Sequence, residues 1–134
     1  LTINDEEARL LSGVNSLRKA AKIILEMGPK YLIIKKGEHG ALLFGENNIF
    51  YAPALPLEEV FDPTGAGDTF AGGLVGYLSS CDNIDWEAMK KAIIVGSAMA
   101  SFTVEKFGIE KLIELDKSQI EQRINEFKNL VSFN

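Results

Sequence analysis

Polar and apolar residues follow one another in this chain with mostly helical spacing. Leu1-Thr2-Ile3 reads as a short strand-like lead, and Asn4-Asp5-Glu6-Glu7 opens a helix whose apolar members are Ala8, Leu10 and Leu11. Asn is a strong N-cap, and acids in the first turn suit the helix dipole. Gly13 ends this helix. Asn15-Ser16 starts another, with Leu17, Ala20, Ala21, Ile24, Leu25 and Met27 at helical spacing, and Gly28-Pro29 stops it. Tyr31-Leu32-Ile33-Ile34 is a continuous apolar run of the kind a buried parallel strand shows.

Lys35-Lys36-Gly37-Glu38-His39-Gly40 then reads as a loop. Ala41–Phe44 and Ile49–Ala52 flank Gly45-Glu46-Asn47-Asn48 as a β-hairpin. Pro53, Pro56 and Pro63 punctuate an extended passage through Glu58-Glu59-Val60. After Asp68 a helical pattern carries Phe70, Leu74, Tyr77 and Leu78, with Gly72, Gly73 and Gly76 inside it. Each of these glycines costs about 1 kcal/mol against Ala in a helix interior, a cost that makes sense where something approaches closely. A helix rich in small residues runs from Trp86 to Glu105 and is expected to end at Gly108. A last amphipathic helix spans Lys117 to Leu130, with Ile120, Ile124, Phe127 and Leu130 on one stripe.

This order of elements predicts an α/β fold. One buried strand and one hairpin are few for so much helix, so further strands are expected to belong to an N-terminal portion absent from this chain. The 134 residues suit one compact unit, 1–134. The chain starts with Leu and turns polar at once, so it reads as a piece of something longer or as a processed product. Its 46% hydrophobic and 25% charged residues are ordinary for a globular protein. A net charge of −5 leaves no basic footprint for nucleic acid. No apolar run reaches the roughly 20 residues that span a bilayer, so no membrane partner is expected. The single cysteine, Cys81, cannot form an internal disulfide, which favours a reducing, cytoplasmic setting.

The candidate chemistry centres on Asp62-Pro63-Thr64-Gly65-Ala66-Gly67-Asp68, just ahead of the glycine-bearing helix. Glycines let bare N–H groups approach an anion, and a helix N-terminus adds positive potential at the same spot. An acid beside such an anion site is electrostatically awkward unless it takes a proton from an attacking hydroxyl. Two common phosphate motifs do not fit: the chain has no Gly-Lys pair for a P-loop, and a G-x-G-x-x-G starting at Gly65 finds Phe70 at its third glycine. On the residues alone, a plain Gly/Asp turn capped by Asp68 stays open. So do a simple capping box for Asn4 and Glu7 and a surface turn for Lys35–Gly40.

The stretch Asp62–Val75, read as Asp-Pro-Thr-Gly-Ala-Gly-Asp-Thr-Phe-Ala-Gly-Gly-Leu-Val, closely resembles the C-terminal signature of the ribokinase (PfkB) family of carbohydrate kinases. The resemblance implies the C-terminal portion of a three-layer α/β/α fold. It implies Asp68 as catalytic base and the N–H groups of Gly65, Ala66 and Gly67 as an anion hole. It also implies Mg²⁺ organised near Asn4 and Glu7, partly through water. Nucleotide contacts would fall at Asn4, Lys35, Gly37, Glu38, His39, Gly40 and Gly67, with Lys35 offering positive charge to the phosphates where family members often carry Thr. A monovalent cation such as K⁺ would sit at Asp62 and Thr64. The segment from Ala98 to Gly108 would form one wall of the adenine pocket.

The function this implies is ATP-dependent phosphorylation of a hydroxyl on a sugar or sugar-like molecule, with this chain alone not expected to be active. Two alternatives stay open: a nucleoside as acceptor, and a nucleotide-binding module or non-catalytic remnant. Sheet edges and apolar surface left by missing strands are expected to favour self-association or a homodimer.

Overall fold

The computed structural model describes residues 1–56, 65–105 and 116–132. The chain divides into two compact units, Leu1–Ala54 and Leu55–Asn134.

The first unit is a four-stranded sheet with two helices. Strands β1 (Thr2–Asn4), β2 (Leu32–Lys35), β3 (Ala41–Gly45) and β4 (Asn48–Ala52) lie in sequence order across it. β1 and β2 run parallel, whereas β2–β3 and β3–β4 are antiparallel. The parallel step needs a crossover, and helices α1 (Asp5–Ser12) and α2 (Leu17–Glu26) supply it. Strand alternation sends Leu32, Ile34 and Phe44 to one sheet face. There they form a core with Ala8 of α1 and Ala21 and Ile24 of α2, edged by Ile3, Leu17, Leu25 and Leu42. Ile33 and Leu43, on the other face, are buried as well, as the continuous apolar run in β2 predicts.

Both helix starts are set by side chains. Asn4 and Glu7 form a complete capping box on α1, and the Ser16 hydroxyl accepts from the Lys19 N–H on α2. Gly13 closes α1 in the left-handed conformation. Leu10 and Leu11, expected on the apolar side of α1, are exposed, and Ala8 is its one buried residue. A helix of two turns presents only a narrow face to the sheet, and here the small residue occupies it. The hairpin loop is tighter than expected. Only Glu46 and Asn47 turn the chain, both at positive φ, while Gly45 and Asn48 pair as strand residues. Two left-handed residues in a two-residue loop match the twist of the flanking strands.

The second unit is helical among its described residues. It contains α3 (Ala66–Ser79), α4 (Trp86–Glu105) and α5 (Lys117–Val131). The expected passage through Glu58-Glu59-Val60 and the expected helix end at Gly108 lie outside the described residues. α4 buries Ala88, Met89, Ala92, Ile93, Ala98 and Phe102, and α3 contributes Phe70 and Leu74. The α3–α4 contact is close enough to depend on missing side chains. A Cβ on Gly96 would stand 2.7 Å from the Phe70 carbonyl oxygen, and one on Gly73 would stand 3.0 Å from Gly96 Cα. Gly72 and Gly76 face open space, so close approach explains only Gly73 on α3.

α5 docks through Phe127 and through Arg123. The Arg123 guanidinium lies 4.1 Å from the Phe102 ring centroid, donates to Ser101 Oγ at 2.7 Å and pairs with Glu105 and Glu126. Of the expected stripe, Phe127 is fully buried while Leu130 is largely exposed.

The same substitution is therefore expected to act with opposite signs at two helical glycines. Gly96→Ala drives a methyl into the Phe70 backbone and should cost about 1–2 kcal/mol net. Gly76→Ala meets open space and should gain about 0.5–1 kcal/mol of helix propensity. Thermal unfolding of the two variants against the parent checks both signs.

Candidate functional site

The sheet's register brings two of the sequence-predicted segments to one end of the first unit. Asn4 pairs with Lys35, Lys35 with Ala41, and Ala41 with Ala52, so these four residues form one row across the sheet. Asn4 is both the last residue of β1 and the cap of α1, and Lys35 is the last residue of β2. Carboxyl ends of adjacent parallel strands are where open α/β sheets place ligands. The segment after β2 holds a short 3₁₀ turn, Gly37–His39, with Gly37, Glu38 and His39 exposed.

This segment is pinned rather than loose. The Lys36 N–H donates to the Gly40 carbonyl at 2.7 Å, and the Tyr51 hydroxyl donates to the His39 carbonyl at 2.9 Å. Gly40 has φ +86°, and a Cβ there would lie 2.3 Å from the Ala52 carbonyl oxygen, so only glycine fits. Tyr51 was not singled out by sequence reasoning. Its position opposite Leu42 in the hairpin, rather than any motif, brings it near His39. His39 Nε2 and Glu38 Oε1 stand 3.7 Å apart on highly exposed side chains, a pair of little energetic weight.

At Asn4 the capping box uses a defined set of atoms. The Glu7 N–H donates to Asn4 Oδ1 at 2.8 Å, and the Asn4 N–H donates to Glu7 Oε1 at 2.9 Å. The carboxylate keeps its second oxygen outside the box, and both residues are exposed. Among the described residues no group of three or more His, Cys, Asp or Glu is gathered as a metal cage. A single carboxylate oxygen fits a hard cation that retains most of its waters, and it does not fit a dedicated protein cage.

In the second unit, Gly65 begins α3 at φ +83°, the left-handed region that glycine occupies without strain. Ala66, Gly67 and Asp68 are the first three helical residues. The first backbone bond of the helix runs from the Thr69 N–H to the Gly65 carbonyl at 3.0 Å. N–H groups ahead of that bond have no acceptor within the helix, and no side chain caps them among the described residues. Gly65, Gly67 and Asp68 are exposed, so the turn offers open donors next to a solvated carboxylate. Such a turn can bind an anion and accept a proton at adjacent points.

Asp62 and Thr64, expected at a cation site, lie outside the described residues, as does the part of the expected adenine wall from 106 to 108. The Lys35–Gly40 segment and the Asp68 turn belong to different units, each described by itself.

Known proteins resemble this chain along most of its length. A cytidine kinase of Thermococcus kodakarensis is 37% identical over 98 residues, covering 67% of this chain and 35% of that protein. The structure of aminoimidazole riboside kinase from Salmonella enterica, complexed with aminoimidazole riboside and an ATP analog, matches with TM-score 0.77 and 31% identity. It covers 92% of this chain and 41% of its own. An E. coli protein described as a Ribokinase II, in complex with ATP and Mg²⁺, matches with TM-score 0.73 and 29% identity over 92% of this chain and 38% of its own. The chain thus spans little more than a third of the length of these relatives. Its fold is the ribokinase-like α/β fold, carried here by a partial sheet. The model of the pfkB family of carbohydrate kinases matches residues 1–115, and the chain belongs to that family.

Proposed function

We propose that this chain provides the nucleotide-binding and phosphoryl-transfer portion of a kinase. The reaction moves the γ-phosphoryl group of ATP to a hydroxyl of a sugar or nucleoside. The observation that carries this reading is the start of α3, where a left-handed Gly65 leads into N–H groups that no side chain caps among the described residues, with Asp68 as the third helical residue.

In this reading the N–H groups of Gly65, Ala66 and Gly67 hold the charge that builds on the transferring phosphoryl oxygens. Preorganised donors of this kind act without reorganising during the reaction. Asp68 takes the proton of the attacking hydroxyl as that oxygen bonds to phosphorus and the bond to the leaving diphosphate breaks. Its exposure in this chain leaves room for an acceptor to reach it. The loop Lys35-Lys36-Gly37-Glu38-His39-Gly40 holds the nucleotide, with Lys35 offering positive charge to the phosphates. Glu7 and Asn4 hold Mg²⁺ largely through water, and Mg²⁺ neutralises the phosphates when bound. Asp62 and Thr64 are proposed ligands of a monovalent cation.

The named activities of the cytidine kinase and the aminoimidazole riboside kinase favour a riboside as acceptor. A second reading is a nucleotide-binding module or non-catalytic remnant. Titration of the full-length protein carrying this sequence with ATP and Mg²⁺, followed by a phosphotransfer assay on a sugar and nucleoside panel, separates the two: binding without turnover there supports the module.

In the full-length protein carrying this sequence, Asp68→Asn is expected to lower turnover by about 10²–10⁴-fold, the usual worth of a general base, with ATP affinity nearly unchanged. Steady-state kinetics check this, and near-parental turnover removes Asp68 from the role of base. Glu7→Gln keeps a side chain able to complete the capping box and removes one charge. The expected outcome is a melting temperature close to the parent together with a several-fold higher Mg²⁺ requirement. An unchanged Mg²⁺ dependence reduces Glu7 to a cap.

A further inference from the structure

Gly65 poses a physical problem that the proposed chemistry depends on. Glycine is the residue least able to hold its own conformation, yet the start of α3 needs Gly65 fixed in the left-handed region. No side chain caps this helix among the described residues. A different set of contacts converges on the Gly65 carbonyl. It accepts the Thr69 N–H at 3.0 Å and also the Thr69 hydroxyl at 3.0 Å. The Thr69 hydroxyl, having given its proton to Gly65, accepts from the Thr103 hydroxyl at 3.0 Å.

Thr103 lies 34 residues further along, on α4, and is only 2% exposed. A threonine inside a helix commonly bonds back to the carbonyl four residues earlier. Here that alternative, the Met99 carbonyl, is 3.5 Å away, at the outer limit of a hydrogen bond. One hydroxyl proton serves one good acceptor, and Thr69 is the nearer. A buried hydroxyl left unpaired is costly, so α4 gains by keeping Thr69 in place. The close Gly73–Gly96 approach fixes the two helices against each other in the same region of the unit.

We propose that Thr103 and Thr69 are positioning residues. Their hydroxyls form a relay from buried α4 to the Gly65 carbonyl, and the relay holds the turn that presents the first N–H groups of α3 and Asp68. This rests on the reading of that turn as the phosphoryl-transfer site. The relay makes its own claim about backbone order, which is measurable without any activity.

The test compares Thr103→Val, which keeps shape and loses the hydroxyl, with Thr103→Ser, which keeps the hydroxyl. Thr69→Val removes the relay from its more exposed end should Thr103→Val fail to fold. Residue-resolved amide hydrogen exchange is read on the full-length protein, alongside kcat and the KM for ATP. The Val variants are expected to speed exchange of the Thr69 amide about tenfold, the effect of losing one hydrogen bond. Amides from Leu74 to Tyr77, later in α3, should stay within twofold of the parent. Turnover should fall about tenfold with the KM for ATP little changed, and Thr103→Ser should restore both readouts to within twofold.

Unchanged exchange at Thr69 in the Val variants overturns the relay. So does a uniform rise along α3 and α4, which marks general destabilisation, or a failure of Ser to rescue. If the exchange pattern appears as expected while Asp68→Asn leaves turnover intact, the relay stands as a backbone device and the assignment of the base is what fails.

Discussion

The constraint on which this chain's organisation depends is the set of N–H groups that every helix leaves open at its start. The first turn of a helix has donors without intrahelical acceptors, and a protein must satisfy them or use them. Four of the five described helices satisfy them with a side chain. Asn4 and Ser16 cap α1 and α2, Asp85 Oδ1 accepts from the Ala88 N–H at the start of α4, and Asp116 forms a capping box with Gln119 on α5. The exception is α3, where the capping position is Gly65. Among the described residues no side chain takes its donors, and the acid that follows, Asp68, sits where the dipole tolerates negative charge.

Much of this was legible in the residues because caps are local. Asn4 with Glu7, Gly13, Ser16 and the Gly28-Pro29 stop each act over three or four positions, and the helix boundaries follow them. The start of α4 at Trp86 was also readable. The candidate site was read on a different ground. Asp62–Val75 is a long run, so its resemblance to a kinase signature carries information that Gly65-Ala66-Gly67-Asp68 alone does not. What escaped depends on three-dimensional placement. Leu10 and Leu11 satisfy a helical pattern yet stay exposed, because periodicity gives a face without saying how much of it is covered. Gly72 and Gly76 look like Gly73 in sequence, but only Gly73 meets a neighbour.

The sheet register adds something periodicity cannot contain. Asn4 and Lys35 are 31 positions apart, and only the parallel pairing of β1 with β2 makes them neighbours. The same pairing aligns the cap of α1 with the mouth of the Lys36–Gly40 segment. A single slip in register would move Lys35 away from Asn4 and turn Leu32 and Ile34 from one face to the other. The core containing Leu32, Ile34 and Phe44 therefore fixes the positions of the polar residues at the strand ends. Packing and site geometry in this unit are one constraint seen from two sides.

A comparable dependence operates in the helical unit, with a sharper trade. An uncapped helix start is useful only if it is rigid, and glycine removes both the cap and the rigidity. Side-chain packing around Gly65 cannot restore order, since the residue has no side chain to pack. Order must come through the backbone carbonyl, which is where the Thr69 N–H and hydroxyl converge. Thr69 in turn is held by a residue buried on α4, and α4 lies close because Gly73 and Gly96 let it. Glycines at the helix contact thus compensate for the glycine at the turn. The small residues that weaken α3 and α4 as isolated helices bring the buried hydroxyl within reach of Thr69.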